Sequence, residues 1–114
     1  MEISGKGILL RIYIGEKDKY HGGLLFEKIV LKLREMGIAG CTVLRGVEGF
    51  GAGSRIIHKA DLLRLSEDLP ILIEVVDIPE RIDSAIHIVL EMVEEAGCGI
   101  LMTKETVEII SYKP

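Results

Sequence analysis

Tryptophan is absent from this 114-residue sequence, and aromatic residues of all kinds make up only 4% of it. A base-stacking platform for single-stranded nucleic acid is hard to assemble from so few rings. Basic residues are too few as well: the formal charge is -4, with acids and bases interleaved, so no basic face for nucleic acid is expected. The two cysteines, Cys41 and Cys98, stand apart with no CxxC partner; they make a poor disulfide framework and are read as small buried apolar side chains. Histidine is scarce, and His21, His58 and His87 fall in unrelated segments with no carboxylate or thiol at metal-ligand spacing, so no metal site is expected. Carboxylate pairs such as Glu94-Glu95 and Glu67-Asp68 have no apolar pocket signal around them to shift a pKa, and no catalytic acid-base dyad follows. Apolar runs stay short of the ~20 residues of a membrane span. The start, MEISGKGILLRIYIGEK, does not have the layout of a secretory signal. A soluble, cytoplasmic, non-enzymatic protein is the expectation.

What the chain does have is apolar residues, 48% of the total, enough for one packed core in a single domain over residues 1–114. Residues 8–14, ILLRIYI, read as a strand. Across residues 24–36 the apolar positions Leu25, Phe26, Ile29, Val30, Leu33 and Met36 recur at helical spacing, and Gly37 supplies the stop. A second strand covers 40–47. The segment 54–68 has no clear period and reads as a long excursion with a helical turn near 60–65; loops of that length in a compact domain are often functional. PILIEVVDI from Pro70 is the most apolar strand. Pro79 suits the first turn of a second helix with Ile82, Ala85, Ile86, Val89, Leu90, Val93 and Ala96 on its buried stripe, ended by Gly97. Residues 99–103 give a fourth strand, and 105–112 a short edge strand or an arm reaching a neighbour.

The order β, α, β, β, α, β suits an α+β ferredoxin-like sandwich, an antiparallel four-stranded sheet with two helices on one face. The period of two in strands then assigns Leu9, Arg11, Tyr13, Thr42, Leu44, Leu72, Glu74, Val76 and Leu101 to the face away from the helices. That face is too apolar to remain in water, so a homo-oligomer packed through it is expected, with Leu9, Arg11, Tyr13, Leu44, Leu72 and Glu74 at the interface and Arg11 paired to Glu74.

The organising stretch is 37–58, GIAGCTVLRGVEGFGAGSRIIH: a helix stop, a short strand, then Gly46, Gly49, Gly51 and Gly53 among polar and basic residues. No GK[ST] follows Gly51 and the GxGxxG order is missing, so neither a Walker loop nor a dinucleotide fingerprint is present. Taken alone, these glycines read first as a hairpin loop that needs positive φ angles, and second as a backbone site for an anion. Arg55 and His58 are candidate phosphate contacts or solvated loop side chains.

GIAG at 37–40, Thr42-Val43 and Gly49-Phe50-Gly51 resemble the corresponding elements of the nitrogen-regulatory PII signalling proteins. Among these the sequence is most similar to an uncharacterised PII-like family, through GEKDKYHGGLLFEKI, AGCTVLRGVEGFGAGSRIIH and RLSEDLPILIEVVD. The resemblance implies a homotrimer with the ferredoxin-like fold and an adenine nucleotide in the cleft between subunits. The long loop between the second and third strands would contact a protein partner. Carried onto this sequence, the nucleotide site comprises Thr42, Gly49, Phe50, Gly51, Ala52, Gly53, Ser54 and Arg55, and the partner-contact loop includes His58, Lys59 and Arg64. The glycine- and lysine-rich phosphate loop of PII proteins is replaced here by GCGILMTK at 97–104, and the arginine pair after their fourth strand is missing. AMP, ADP or a cyclic adenine nucleotide is therefore expected in preference to a triphosphate. A ligand-independent adaptor trimer docking on a membrane transporter is the alternative.

Overall fold

A computed structural model describes residues 2–51 and 68–114. The elements run β1 (Ile3–Gly15), β2 (Lys19–Tyr20), β3 (Gly23–Leu24), α1 (Leu25–Glu35), β4 (Cys41–Arg45), β5 (Pro70–Asp77), α2 (Pro79–Ala96) and β6 (Leu101–Tyr112). Four strands form one antiparallel sheet in the order β4-β5-β1-β6, and β2 and β3 make a separate small hairpin. The expected ferredoxin-like sandwich is what the chain forms. The proposed helical turn at 60–65 lies outside the described residues.

The core follows from the period-two pattern of the two central strands. Leu10, Ile12, Ile73 and Val75 are essentially inaccessible, and Leu25, Ile29 and Leu33 of α1 and Ile82, Ala85 and Val89 of α2 close over them. In α2 the stripe differs from expectation at two positions: Met92 is buried and Leu90 is 47% exposed. At roughly 100° per residue, Leu90 stands about a quarter-turn or more from the stripe's centre, while Met92 falls beside Val89 and Val93. Pro79 occupies the first turn as expected, and Gly97, at φ 71°, stops the helix with its N–H donating to the Val93 and Glu94 carbonyls. Gly37 (φ 77°) ends α1 in a Schellman arrangement: its N–H reaches Arg34 O at 3.1 Å, and Ile38 N–H reaches Leu33 O at 3.2 Å.

β1 and β6 are both longer than the sequence pattern suggests. β6 is continuous from Leu101 to Tyr112, so the two separate segments expected at 99–103 and 105–112 are one strand, paired with β1 down to Ile3. Lys104 and Glu105 contain no breaker, and β1 supplies a ladder for the whole length. The register shifts between Ile3 and Gly5, where Gly5 adopts φ 96°.

One carboxylate ties these layers together. Asp77, fully buried at the end of β5, accepts hydrogen bonds from Ala39 N–H at 2.9 Å and Ile78 N–H at 2.7 Å, with Arg81 Nη1 at 3.5 Å. It thereby fixes the α1–β4 connection against the start of α2. The Tyr112 hydroxyl donates to Ala39 O at 2.7 Å, bringing the end of β6 to the same connection.

Candidate functional site

Among the described residues β4 is an edge strand, paired with β5, and it delivers the glycine segment. Thr42 is exposed on the open face opposite Glu74, and Leu44, half exposed, stands opposite Leu72. Beyond Arg45 the chain is pinned once more: Gly46 N–H donates to Pro70 O at 2.8 Å. A Cβ at Gly46 would lie 2.8 Å from Pro70 Cγ, so only glycine allows this approach. Gly49 then takes φ 153°, also against Pro70, and leaves Val47 and Phe50 84% and 77% exposed.

The returning limb is held by a different segment. Leu69 O accepts from Glu16 N–H at 2.8 Å, Asp68 Oδ1 accepts from Lys17 N–H at 2.9 Å, and Arg45 Nε meets Glu16 at 3.1 Å. The outgoing residues 46–51 and the returning residues 68–70 therefore form one braced base, locked to the β1–β2 connection. Thr42 stands within β4, and Gly49, Phe50 and Gly51 follow on the outgoing limb. Ala52, Gly53, Ser54 and Arg55, and the partner-loop residues His58, Lys59 and Arg64, lie outside the described residues.

The open sheet face is built as the strand period predicts. Leu9, Arg11 and Tyr13 stand opposite Val76, Glu74 and Leu72 across β5, and opposite Glu105, Thr103 and Leu101 across β6. Leu44, Val76 and Leu101 are 50%, 38% and 53% exposed. Arg11 Nε binds Glu74 at 3.0 Å, the expected pair, and Nη1 binds Glu105 at 2.7 Å. The hydrogen bonds from Glu74 and then Glu105 push the guanidinium pKa up. Glu105 was not anticipated: in a separate tail segment it had no assigned register, and only the continuity of β6 places it beside Arg11.

Two apolar clefts follow the outer side of α1 toward the same edge strand. One of about 390 Å³ is lined by Val30, Leu33, Arg34, Ile38, Ala39, Gly40 and Cys41, and one of about 370 Å³ by Phe26, Glu27, Val30, Leu31 and Val43. Desolvation pushes the Cys41 thiol pKa up, and the same effect acts first on Cys98, so neither resembles an activated nucleophile.

A polar cluster that sequence reasoning passed over sits at the far end of α2. His21 (φ 49°) and Gly22 (φ 78°) form the tight β2–β3 turn. His21 Nε2 lies 2.7 Å from Glu95 Oε2, and the Tyr20 hydroxyl donates to Glu95 Oε1 at 3.0 Å, beside a cleft of about 320 Å³. The His21 contact, then the Tyr20 contact, holds the Glu95 carboxyl below the usual range. A lowered folded-state pKa gives a contribution that is present above the unfolded Glu value of about 4.3 and is lost as pH falls through the folded value. In an NMR titration, Glu95 should titrate below an ordinary glutamate, and His21→Ala should move it back up; an unshifted Glu95 in the wild-type chain would refute the contact.

The family model DUF190, described as "Uncharacterized ACR, COG1993", matches residues 7–109, which include the β4 edge, the braced base and the open face. The chain belongs to this family. A UPF0166 protein of Methanocaldococcus jannaschii is 38% identical to this DUF190 chain over 96 residues, covering 84% of it and 87% of the relative. Among solved structures, CPII, a nitrogen regulatory PII-like protein from Thiomonas intermedia K12 bound to ADP, AMP and bicarbonate, matches with a TM-score of 0.67 at 16% identity, covering 96% of this chain and 91% of CPII. A PII-like protein from Thermus thermophilus matches with a TM-score of 0.59 at 21% identity, covering 93% of this chain and 91% of its own. At these identities the DUF190 chain shares its fold with PII-like proteins, and the expected PII-like resemblance holds at that level.

Proposed function

We propose that this DUF190 chain is a trimeric, non-catalytic regulator in which a small adenine nucleotide binds between subunits at the base of the 46–68 loop. Binding changes how the loop is presented to a protein partner, a population shift of one element read by another molecule. The observation that carries this reading is the braced base. Residues 46–51 leave the sheet through two glycines packed on Pro70, residues 68–70 are locked to Glu16 and Lys17, and Phe50 stands exposed on the outgoing side. A rigid base beneath a long loop is where a ligand can bias loop conformation without disturbing the core. The ADP and AMP bound to CPII supply the ligand class.

Charge favours one or two phosphates over three. Arg45 is engaged by Glu16, and Arg11 by Glu74 and Glu105. Arg55 and the backbone N–H groups of the glycine segment are the groups proposed to meet the phosphate.

Calorimetry on the full chain with AMP, ADP, ATP and cyclic AMP tests this. AMP or ADP should bind in the micromolar range, ATP more weakly, and the preferred ligand should change the rate of proteolytic cleavage within 52–67. No heat with any of the four, together with cleavage indifferent to nucleotide, would leave the ligand-independent adaptor trimer in its place.

A further inference from the structure

Arg11 occupies the centre of the open sheet face, flanked along β1 by Leu9 and Tyr13 and across the sheet by Leu72, Val76 and Leu101. Its Nε and Nη1 are taken by Glu74 and Glu105; among the described residues its Nη2 has no partner. The triad thus holds two carboxylates against one cation. In water such an arrangement contributes little, because exposed ion pairs are screened and the spare carboxylate oxygens are hydrated. Under a covering surface it becomes costly unless that surface returns hydrogen-bond donors.

The chemistry of the triad discriminates between occupants. A nucleic acid or another anionic ligand is opposed by the excess negative charge, and a hydrocarbon surface by the ion network itself. A second copy of the same face offers a matching apolar surround, one free guanidinium edge and spare carboxylate oxygens. Donor and acceptor are both present on each copy, so in a closed ring each copy can donate to one neighbour and accept from the other.

We propose that Arg11, Glu74 and Glu105 are the polar key by which the open sheet face recognises further copies of this chain, each copy's free guanidinium edge meeting a neighbour's spare carboxylate oxygens. The apolar side chains around the triad drive association, and the triad sets register and excludes other partners. This inference rests on the reading of the protein as a homo-oligomer.

The test mixes wild-type chain with an isotope-labelled, charge-swapped variant carrying Arg11→Glu, Glu74→Arg and Glu105→Arg. The swap preserves pairing within each copy and among swapped copies but opposes like charges between swapped and wild-type copies. Native mass spectrometry should find the two chains sorted into separate oligomers, and statistical mixing would overturn the proposal. Should the swapped chain not fold by circular dichroism, Arg11→Gln serves instead. Its self-association in sedimentation velocity should weaken about ten-fold or more, as for truncation of a covered charge pair, and an unchanged dissociation constant would overturn the key. A wild-type chain that stays monomeric throughout the micromolar range would overturn the homo-oligomer itself, a different failure from oligomers that mix freely.

Discussion

Asp77→Ala is expected to lower the unfolding free energy by about 3 kcal/mol, the order found when a buried, hydrogen-bonded charge is removed and its donors are stranded. The loss comes from position more than from charge. Both carboxylate oxygens are in use, Oδ2 by Ala39 N–H and Oδ1 by Ile78 N–H, and no water reaches the side chain to replace them. Asp77→Asn separates the contributions: its single carbonyl oxygen can serve one of the two amides, so a loss of about 1 to 2 kcal/mol is expected. Urea unfolding of both variants reads this directly. A loss below about 1 kcal/mol for the alanine variant would mean that the 37–41 connection finds other acceptors. The consequence reaches beyond stability, because Ala39 lines the larger apolar cleft and also accepts the Tyr112 hydroxyl. Freeing it loosens the entry to β4, the strand that carries Thr42 and the glycine segment.

That coupling between a core carboxylate and the candidate site was not legible in the sequence, and the reason is physical. Asp77 closes an apolar strand just before Pro79, where an aspartate ordinarily reads as a turn residue. Its partner Ala39 lies 38 positions away. Patterns within one element were read well: the alternation of 8–14 placed Leu9, Arg11 and Tyr13 on one face, and the 3.6-residue period of α1 placed Leu25, Ile29 and Leu33 inside. Relations that depend on register between distant strands were not. The glycines at 5 and 7 hid the first half of β1, and without that half β6 had no ladder to follow past Thr106. Glu105 and the Tyr20–His21–Glu95 cluster were missed for the same reason, since each joins residues brought together only by the finished sheet and helix.

The candidate site was legible as far as its outgoing limb. Gly46 and Gly49 are required where they stand, one by its approach to Pro70 and the other by φ 153°, and the resemblance pointed to Thr42, Gly49, Phe50 and Gly51. What binds the returning limb was not visible, because the Glu16 and Lys17 amides carry no side-chain signature. The braced base is therefore a product of backbone hydrogen bonding across three chain segments, and it gives the glycine segment a fixed platform.

Phe50→Ala should separate binding from folding. At 77% exposure the ring contributes little to the core, so the midpoint of thermal unfolding should stay close to wild type, within about 0.5 kcal/mol in stability. If the ring stacks on the adenine base, the same substitution removes about 1 to 3 kcal/mol of binding, a weakening on the order of ten-fold or more. Phe50→Trp should restore affinity by supplying another flat face, whereas Phe50→Leu, apolar but without one, should not. Calorimetry with AMP and ADP on the three variants decides the matter, with thermal unfolding as the control. Affinity unchanged in Phe50→Ala would remove the ring from the site and shift the search to the inward side of the glycine turn. Affinity lost in Phe50→Leu and regained in Phe50→Trp would identify stacking as the contact, and with it the outgoing limb of the braced base as the wall on which the nucleotide rests.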